Sequence, residues 1–335
     1  MKTHRLLELD ALRGIAALTV VLYHYFYRYD QLYGHSGISV NWAEFGQFGV
    51  QLFFMISGFV IYWTLERIAR PMDFVVSRVS RLFPAYWTAI IITFSVVHMA
   101  GLPGRETSLA VALANATMLQ EFLRIPSVDG VYWTLTVELI FYFWIFAAFL
   151  SGCLNRIEII LALPVMISIG HSLGWYGLNP AINKLFLIPY AAFFLSGICL
   201  FKLADGKASS LTKGSLAISL LSLLLSTSLQ VFLLFTCFHL VFFLAVSGRL
   251  GWLASRPFVF LGSLSYSLYL LHQNIGYVII RTGYEYGLPA YASILTALAV
   301  SLALAAVVSR YIERPAMNHI RQAWKRRSKV KQPAG

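Results

Sequence analysis

The sequence predicts an all-α fold: a polytopic transmembrane helix bundle of about ten spanning helices, with both termini cytoplasmic. Three observations predict it. Of 335 residues, 59% are hydrophobic and only 12% are charged, against about a quarter in soluble domains. Too little polar surface is left to clothe a soluble globule. Apolar runs of about 20 residues, long enough to cross a hydrocarbon layer about 30 Å thick, recur along the whole chain. The basic residues crowd into alternate inter-helix segments, as membrane topology requires.

The elements follow in order. The first span is expected over roughly 11–28. Residues 1–5 are basic enough for a signal peptide, but Asp10 and Arg13 interrupt the approach and no small-residue cleavage site follows, so this segment is read as a retained helix. Further spans are expected over roughly 47–65, 82–101, 131–151, 157–175, 185–203, 214–230, 231–248, 258–280 and 290–312. The stretch 214–248 lacks Asp, Glu, Lys and Arg and is too long for one helix, with 226–230 as its turn. Between the third and fourth spans, Pro103, Gly104, Pro126 and Gly130 bracket a moderately apolar patch over 109–123, which reads as an interfacial or re-entrant helix. Residues 1–315 form the transmembrane domain, and 316–335 a polybasic cytoplasmic tail. No internal repeat is visible, which weighs against transporters built from inverted repeats.

The net charge of +12 raises the question of nucleic acid, and the distribution of the basic residues answers it. With the N-terminus inside, 20 Lys and Arg fall in cytoplasmic segments, from Lys2 and Arg5 through Arg78 and Arg81 to Lys331. Only five fall outside: Arg28, Arg105, Arg124, Lys184 and Arg281. That asymmetry is a topology signal, and no nucleic-acid partner is expected. Cys153, Cys199 and Cys237 show neither zinc-ligand nor disulfide-framework spacing, so no metal is expected.

Ionisable side chains inside spanning helices cost about 2.5 to 3.5 kcal/mol at the helix centre, so each needs a reason. Four constellations stand out. In residues 9–25, Arg13 and His24 are eleven positions apart, about three helical turns and roughly 16 Å along one face. Asp10 falls near the same face. Arg13 either snorkels to headgroups or serves a site; His24 either bonds a neighbouring helix or acts as a general base, for which a mid-membrane imidazole is well suited. In residues 77–87, Arg78 and Arg81 sit one turn apart at the cytoplasmic mouth of the third helix. They either anchor the helix or grip phosphate oxygens of a nucleotide-bearing donor such as a coenzyme A thioester. Glu138 is a lone acid in an aromatic helix, placed either for an ion pair or for catalysis. Ser265, Tyr269 and His272 share a side of the ninth helix, lining a substrate cavity or bonding helix to helix. A nucleophile elbow, a glycine-rich phosphate loop and the soluble glycerolipid acyltransferase pattern are all absent.

The segments 9–24, 48–63, 77–87, 133–142, 261–272 and 311–315 together resemble, in order, the signatures of the acyltransferase-3 family. The resemblance covers essentially the whole chain, and six ordered signatures are far more specific than one. It implies a bacterial inner-membrane, multi-pass O-acyltransferase that moves an acyl group, usually acetyl, from cytoplasmic acetyl-CoA to a hydroxyl of an exopolysaccharide, lipopolysaccharide or related glycolipid. It implies catalytic roles for His24, Arg13 and Glu138, and donor binding by Arg78 and Arg81. Membrane lipids and polysaccharide-synthesis proteins are the remaining partners it suggests.

In the mechanism this implies, His24 removes the acceptor's proton or carries the acyl group itself, while Glu138 and Arg13 orient it or stabilise developing charge. Longer members carry a fused extracytoplasmic esterase-like domain. No such segment occurs in these residues, which implies direct transfer or a hand-off to a separate protein. Two rival classes remain at this point, a transporter of an acyl donor or lipid-linked sugar, and a scaffold for a polysaccharide-synthesis complex. Acceptor-dependent thiol release separates the enzyme from both.

Overall fold

The computed structural model describes residues 6–35 and 37–330, and every regular element among them is helical. Lys2, Arg5 and Lys331, counted in the charge asymmetry, lie outside the described residues. The helices are α1 (Leu7–Leu22), α2 (Tyr29–Tyr33), α3 (Gly49–Leu65), α4 (Pro71–Ala100), α5 (Leu109–Asn115), α6 (Trp133–Leu150), α7 (Ile157–Ser172), α8 (Pro180–Leu185) and α9 (Ala191–Ala204). There follow α10 (Ser210–Ser226), α11 (Leu229–Val246), α12 (Arg256–Leu271), α13 (Gln273–Glu285), α14 (Ala290–Val308) and α15 (Arg314–Val330). Among the described residues six helical runs are long and apolar enough to cross a membrane: Asn41–Leu65, Pro71–Ala100, Gly130–Leu150, Leu154–Ser172, Leu229–Val246 and Ala290–Arg327. The apolar helices α9 and α10 are shorter.

The expected spans fall on helices or runs of helices, with four differences, of which the first is that the span expected from 185 starts only at Ala191, after turns over 186–190. The third helix begins at Pro71, eleven residues before the expected 82, because Pro71 supplies a preset N-terminal turn and Asp73 lies in that turn. The expected span 258–280 is two helices broken at His272. The last helix does not stop at 312 but continues through a π turn, Ser309–Glu313, into α15, so that 316–330 is helical. The turn in 214–248 falls at Thr227 and Ser228, where the Ser228 side chain accepts from the Val231 amide and starts α11. The patch 109–123 holds only the seven-residue α5 followed by turns. Asn115 ties it down by donating to the Val111 and Pro126 carbonyls and accepting from the Val128 amide.

The chain divides into two units. One comprises 1–16, 49–68 and 137–262. Its centre is α9, buried from Ala191 to Lys202. Glycines let α3 and α9 cross backbone to backbone: a Cβ on Gly58 would overlap the Phe194 carbonyl, and one on Gly197 the Met55 carbonyl. Close approach through small residues is how membrane helices associate where hydrophobic burial offers no drive. Gly14 and Gly262 do the same for α1 and the start of α12. A buried ion pair, Lys202 Nζ to Glu158 Oε2 at 2.6 Å, joins α9 to α7.

The other unit comprises 17–48, 69–136 and 263–335. In it α13 packs on α14, where Gly283 makes room for Ser293, and α15 lies along α4. Trp324 Nε1 donates to Asp73 Oδ1 at 2.6 Å across that second interface.

Candidate active site

After Leu22 the first helix loosens into a π turn, Tyr23–Arg28, that carries His24. Such turns are rare and concentrate at functional sites. His24 Nδ1 lies 2.9 Å from the Val20 carbonyl oxygen and 3.0 Å from His272 Nε2. On the far side of the second imidazole, His272 Nδ1 lies 2.8 Å from the Tyr269 carbonyl oxygen and 3.1 Å from that of Leu268.

These partners assign the tautomers. Carbonyl oxygens only accept, so His272 Nδ1 carries its proton, and in the neutral ring Nε2 is a lone pair. That lone pair and the Val20 carbonyl both face His24 Nδ1, which must therefore be the donor. His24 Nε2 is left as the basic nitrogen. A proton taken there converts the Nδ1–H to His272 contact into a charge-assisted bond, which is shorter and stronger than a neutral one.

The helix break sets His272 in place. Tyr25, fully buried, donates to the His272 carbonyl at 2.8 Å and pairs with Ser301 Oγ at 2.6 Å. Gly276 is needed beside it, since a Cβ there would overlap the Tyr25 ring. Backbone groups freed by a break at depth must find new partners, and Asp129 provides them. Its Oδ2 accepts from the Asn274 amide at 3.0 Å and its Oδ1 from the Val131 amide at 3.2 Å, while Asn274 Nδ2 donates to the Val128 carbonyl at 3.0 Å. The Tyr277 ring centroid is 6.4 Å from that of His24, and its buried hydroxyl has no hydrogen-bond partner among the described residues.

The other residues of the polar stripe meet protein partners. Tyr269 OH is 2.9 Å from Thr134 Oγ1 and 3.3 Å from the Val131 carbonyl oxygen, and Ser265 is fully buried. Of the three, only His272 reaches His24.

Arg78 and Arg81 lie on α4 in this same unit. Arg81 Nη1 pairs with Glu313 Oε1 at 3.0 Å, and Glu313, buried in the second π turn, also accepts from Ser267 Oγ at 2.6 Å. Arg78 Nη2 donates to Ser77 Oγ at 3.0 Å. The first unit holds Glu138, Arg13 and Asp10. Glu138 Oε1 accepts from Ser57 Oγ at 2.6 Å and from the Tyr142 hydroxyl. Arg13 and Asp10 are half-buried on α1.

Sequence reasoning passed over Asp129, Tyr277, Glu313 and Arg321. Glu313 sits within the 311–315 signature, so a buried acid beside two arginines was there to be paired. Asp129 precedes Gly130, and nothing local announces that it accepts from the first turn of a helix 145 positions away.

Known proteins can now be set beside this geometry. The family profile described as "Acyltransferase domain" matches residues 6–310. The exopolysaccharide production protein ExoZ of Rhizobium meliloti is 26% identical over 298 residues, covering 81% of this chain and 89% of its own length. The O-acetyltransferase OatA of Staphylococcus aureus is 24% identical over 360 residues, covering 92% of this chain. The chain spans only 56% of the length of OatA. No solved structure gives a significant match.

Proposed function

The chain belongs to the acyltransferase-3 family and is an acyltransferase, and on that footing we propose that it transfers an acetyl group from cytoplasmic acetyl-CoA to a hydroxyl of a cell-surface glycan or glycolipid. The single observation that carries this reading is the paired imidazoles, which leave His24 Nε2 as a base.

His24 Nε2 accepts the acceptor's hydroxyl proton as the oxygen attacks the thioester carbonyl. The tetrahedral adduct then collapses, the C–S bond breaks, and the departing thiolate takes the proton back from His24. An ester and free coenzyme A remain, and both rings return to their starting tautomers. His272 is a positioning residue that fixes the tautomer of His24 and stabilises its cation. The Tyr277 hydroxyl is the candidate donor to the carbonyl oxygen as it becomes an oxyanion.

The names of the relatives support the acceptor class, since one is an exopolysaccharide production protein and another an O-acetyltransferase. The basic-residue asymmetry supports about ten spans, both termini inside the bacterial cytoplasmic membrane, and donor entry at the end that carries Arg78 and Arg81. Purified protein given acetyl-CoA and a deacetylated glycan should release free thiol only when the glycan is present. Release that ignores the acceptor, or none with any glycan, removes the proposal.

A further inference from the structure

In the second unit α15 brings a third guanidinium to the arginine pair. Arg321 Nε donates to Ser80 Oγ at 3.1 Å, and its Nη2 reaches the Ser77 carbonyl at 3.2 Å and Ser77 Oγ at 3.3 Å. Arg78 donates to that same Ser77 hydroxyl. Two guanidinium groups therefore share one neutral oxygen, with Arg81 one turn along α4.

Of the carboxylates on these elements, Glu313 belongs to the cluster through Arg81 and Asp73 bonds outside it. Glu313 bonds Arg81 and Ser267, and Asp73 bonds Arg70 at 3.2 Å and Trp324. Among the described residues Arg321 has no carboxylate partner, and it is half-buried. Like charges gathered out of bulk water are costly unless an anion joins them. Planar guanidinium forks are suited to phosphate oxygens, which accept two parallel N–H bonds from a fork.

We propose that Arg321 is the third arm, with Arg78 and Arg81, of a site for the phosphate groups of the acyl-CoA donor, so that α15 completes the donor site. This rests on the donor named above. It goes beyond the family likeness, because Arg321 lies outside the matched residues 6–310. A phospholipid headgroup offers the same chemistry, and the test separates the two sources.

Full-length protein in nanodiscs of phosphatidylcholine is titrated with coenzyme A by calorimetry, as wild type and as Arg321→Met, Arg321→Lys and Arg326→Met. Arg326 is an exposed basic residue of the same helix, so its variant removes one charge without touching the cluster. Arg321→Met should weaken coenzyme A binding about ten- to a hundredfold, the scale of one charge-assisted bidentate contact. Arg321→Lys should fall between, and Arg326→Met should bind as wild type. Melting curves in the absence of coenzyme A should match for Arg321→Lys and wild type, so its weaker binding is not misfolding.

Wild-type affinity in Arg321→Met overturns the proposal, as does an equal loss in Arg326→Met. Adding phosphatidylglycerol to the nanodiscs tests the lipid source: coenzyme A binding abolished by that lipid in wild type but not in Arg321→Met assigns the arginine to headgroups and overturns the proposal. Failure of wild type to bind coenzyme A in phosphatidylcholine refutes the donor reading itself, a result distinct from a loss confined to the variant.

Discussion

Replacing His272 by phenylalanine preserves a ring of similar size and removes the acceptor that faces His24. His24 Nδ1–H then keeps only the Val20 carbonyl at 2.9 Å and loses the nitrogen at 3.0 Å. In the ground state both rings are neutral, and the lost bond contributes about 1 kcal/mol. In the transition state His24 is gaining a proton, and a hydrogen bond to a charged group contributes about 1.5 to 3 kcal/mol. The difference, about 0.5 to 2 kcal/mol, is the rise in the barrier from the bound state, so the rate constant should fall roughly two- to thirtyfold. His24→Ala, which removes the base, should cost about 10² to 10⁴.

The pair acts as one unit, so the double variant His24→Ala, His272→Phe should be no slower than His24→Ala alone. His272→Gln, whose side-chain oxygen can accept, should recover part of the loss. The assay is acceptor-dependent thiol release with kcat and KM separated and a melting curve for each variant. The fall should appear in kcat. An unchanged kcat in well-folded His272→Phe, or independent multiplication of the two losses, refutes the relay.

Tyr277→Phe deletes a hydroxyl that has no hydrogen-bond partner among the described residues, so the melting temperature should hold or rise while kcat falls roughly tenfold or more; full activity frees this tyrosine from the chemistry. Glu138→Gln keeps an oxygen for Ser57 and Tyr142, whereas Glu138→Ala removes the acceptor that the two hydroxyls share, a loss of about 1 to 3 kcal/mol. The alanine variant should melt earlier than the glutamine one, and equal melting curves would show that the carboxylate holds neither hydroxyl. Gly197→Ala drives a methyl into the Met55 carbonyl and should destabilise by about 1 to 3 kcal/mol or more, read as lower yield and earlier melting in detergent. Wild-type melting would mean that α3 and α9 do not cross as described.

Helix positions were legible because a span is a local property, some 20 apolar residues in a row. Even the short turn at Thr227 and Ser228 lies inside the window that length alone demanded. His24, Glu138, Arg78 and Arg81 stood out because polarity inside an apolar helix is costly and therefore conspicuous. What stayed hidden depends on partners distant in the chain. The stripe Ser265, Tyr269 and His272 reads as one face of one helix, yet the break at His272 gives its members different partners. That break is held by Tyr25, Asp129 and Ser301, none of them near it in sequence.

The C-terminal segment shows the same limit. Its basic composition reads as a topology signal and conceals an amphipathic helix whose Arg321 and Trp324 dock on α4. Arg81 was singled out for a donor, and its ion pair with Glu313 depends on α4 meeting the second π turn, a tertiary fact with no local signature.

The central claim is that His24 is the base of an acetyl transfer, and labelled acetyl-CoA tests it most directly. Wild type and His24→Ala, matched in melting temperature, are incubated with isotope-labelled acetyl-CoA and a deacetylated glycan. Both alkali-labile label on the glycan and free coenzyme A are then measured. Wild type should give the two in equimolar amounts, and His24→Ala should give both at about 10² to 10⁴ lower rate. Labelled glycan formed at wild-type rate by the alanine variant would contradict the account.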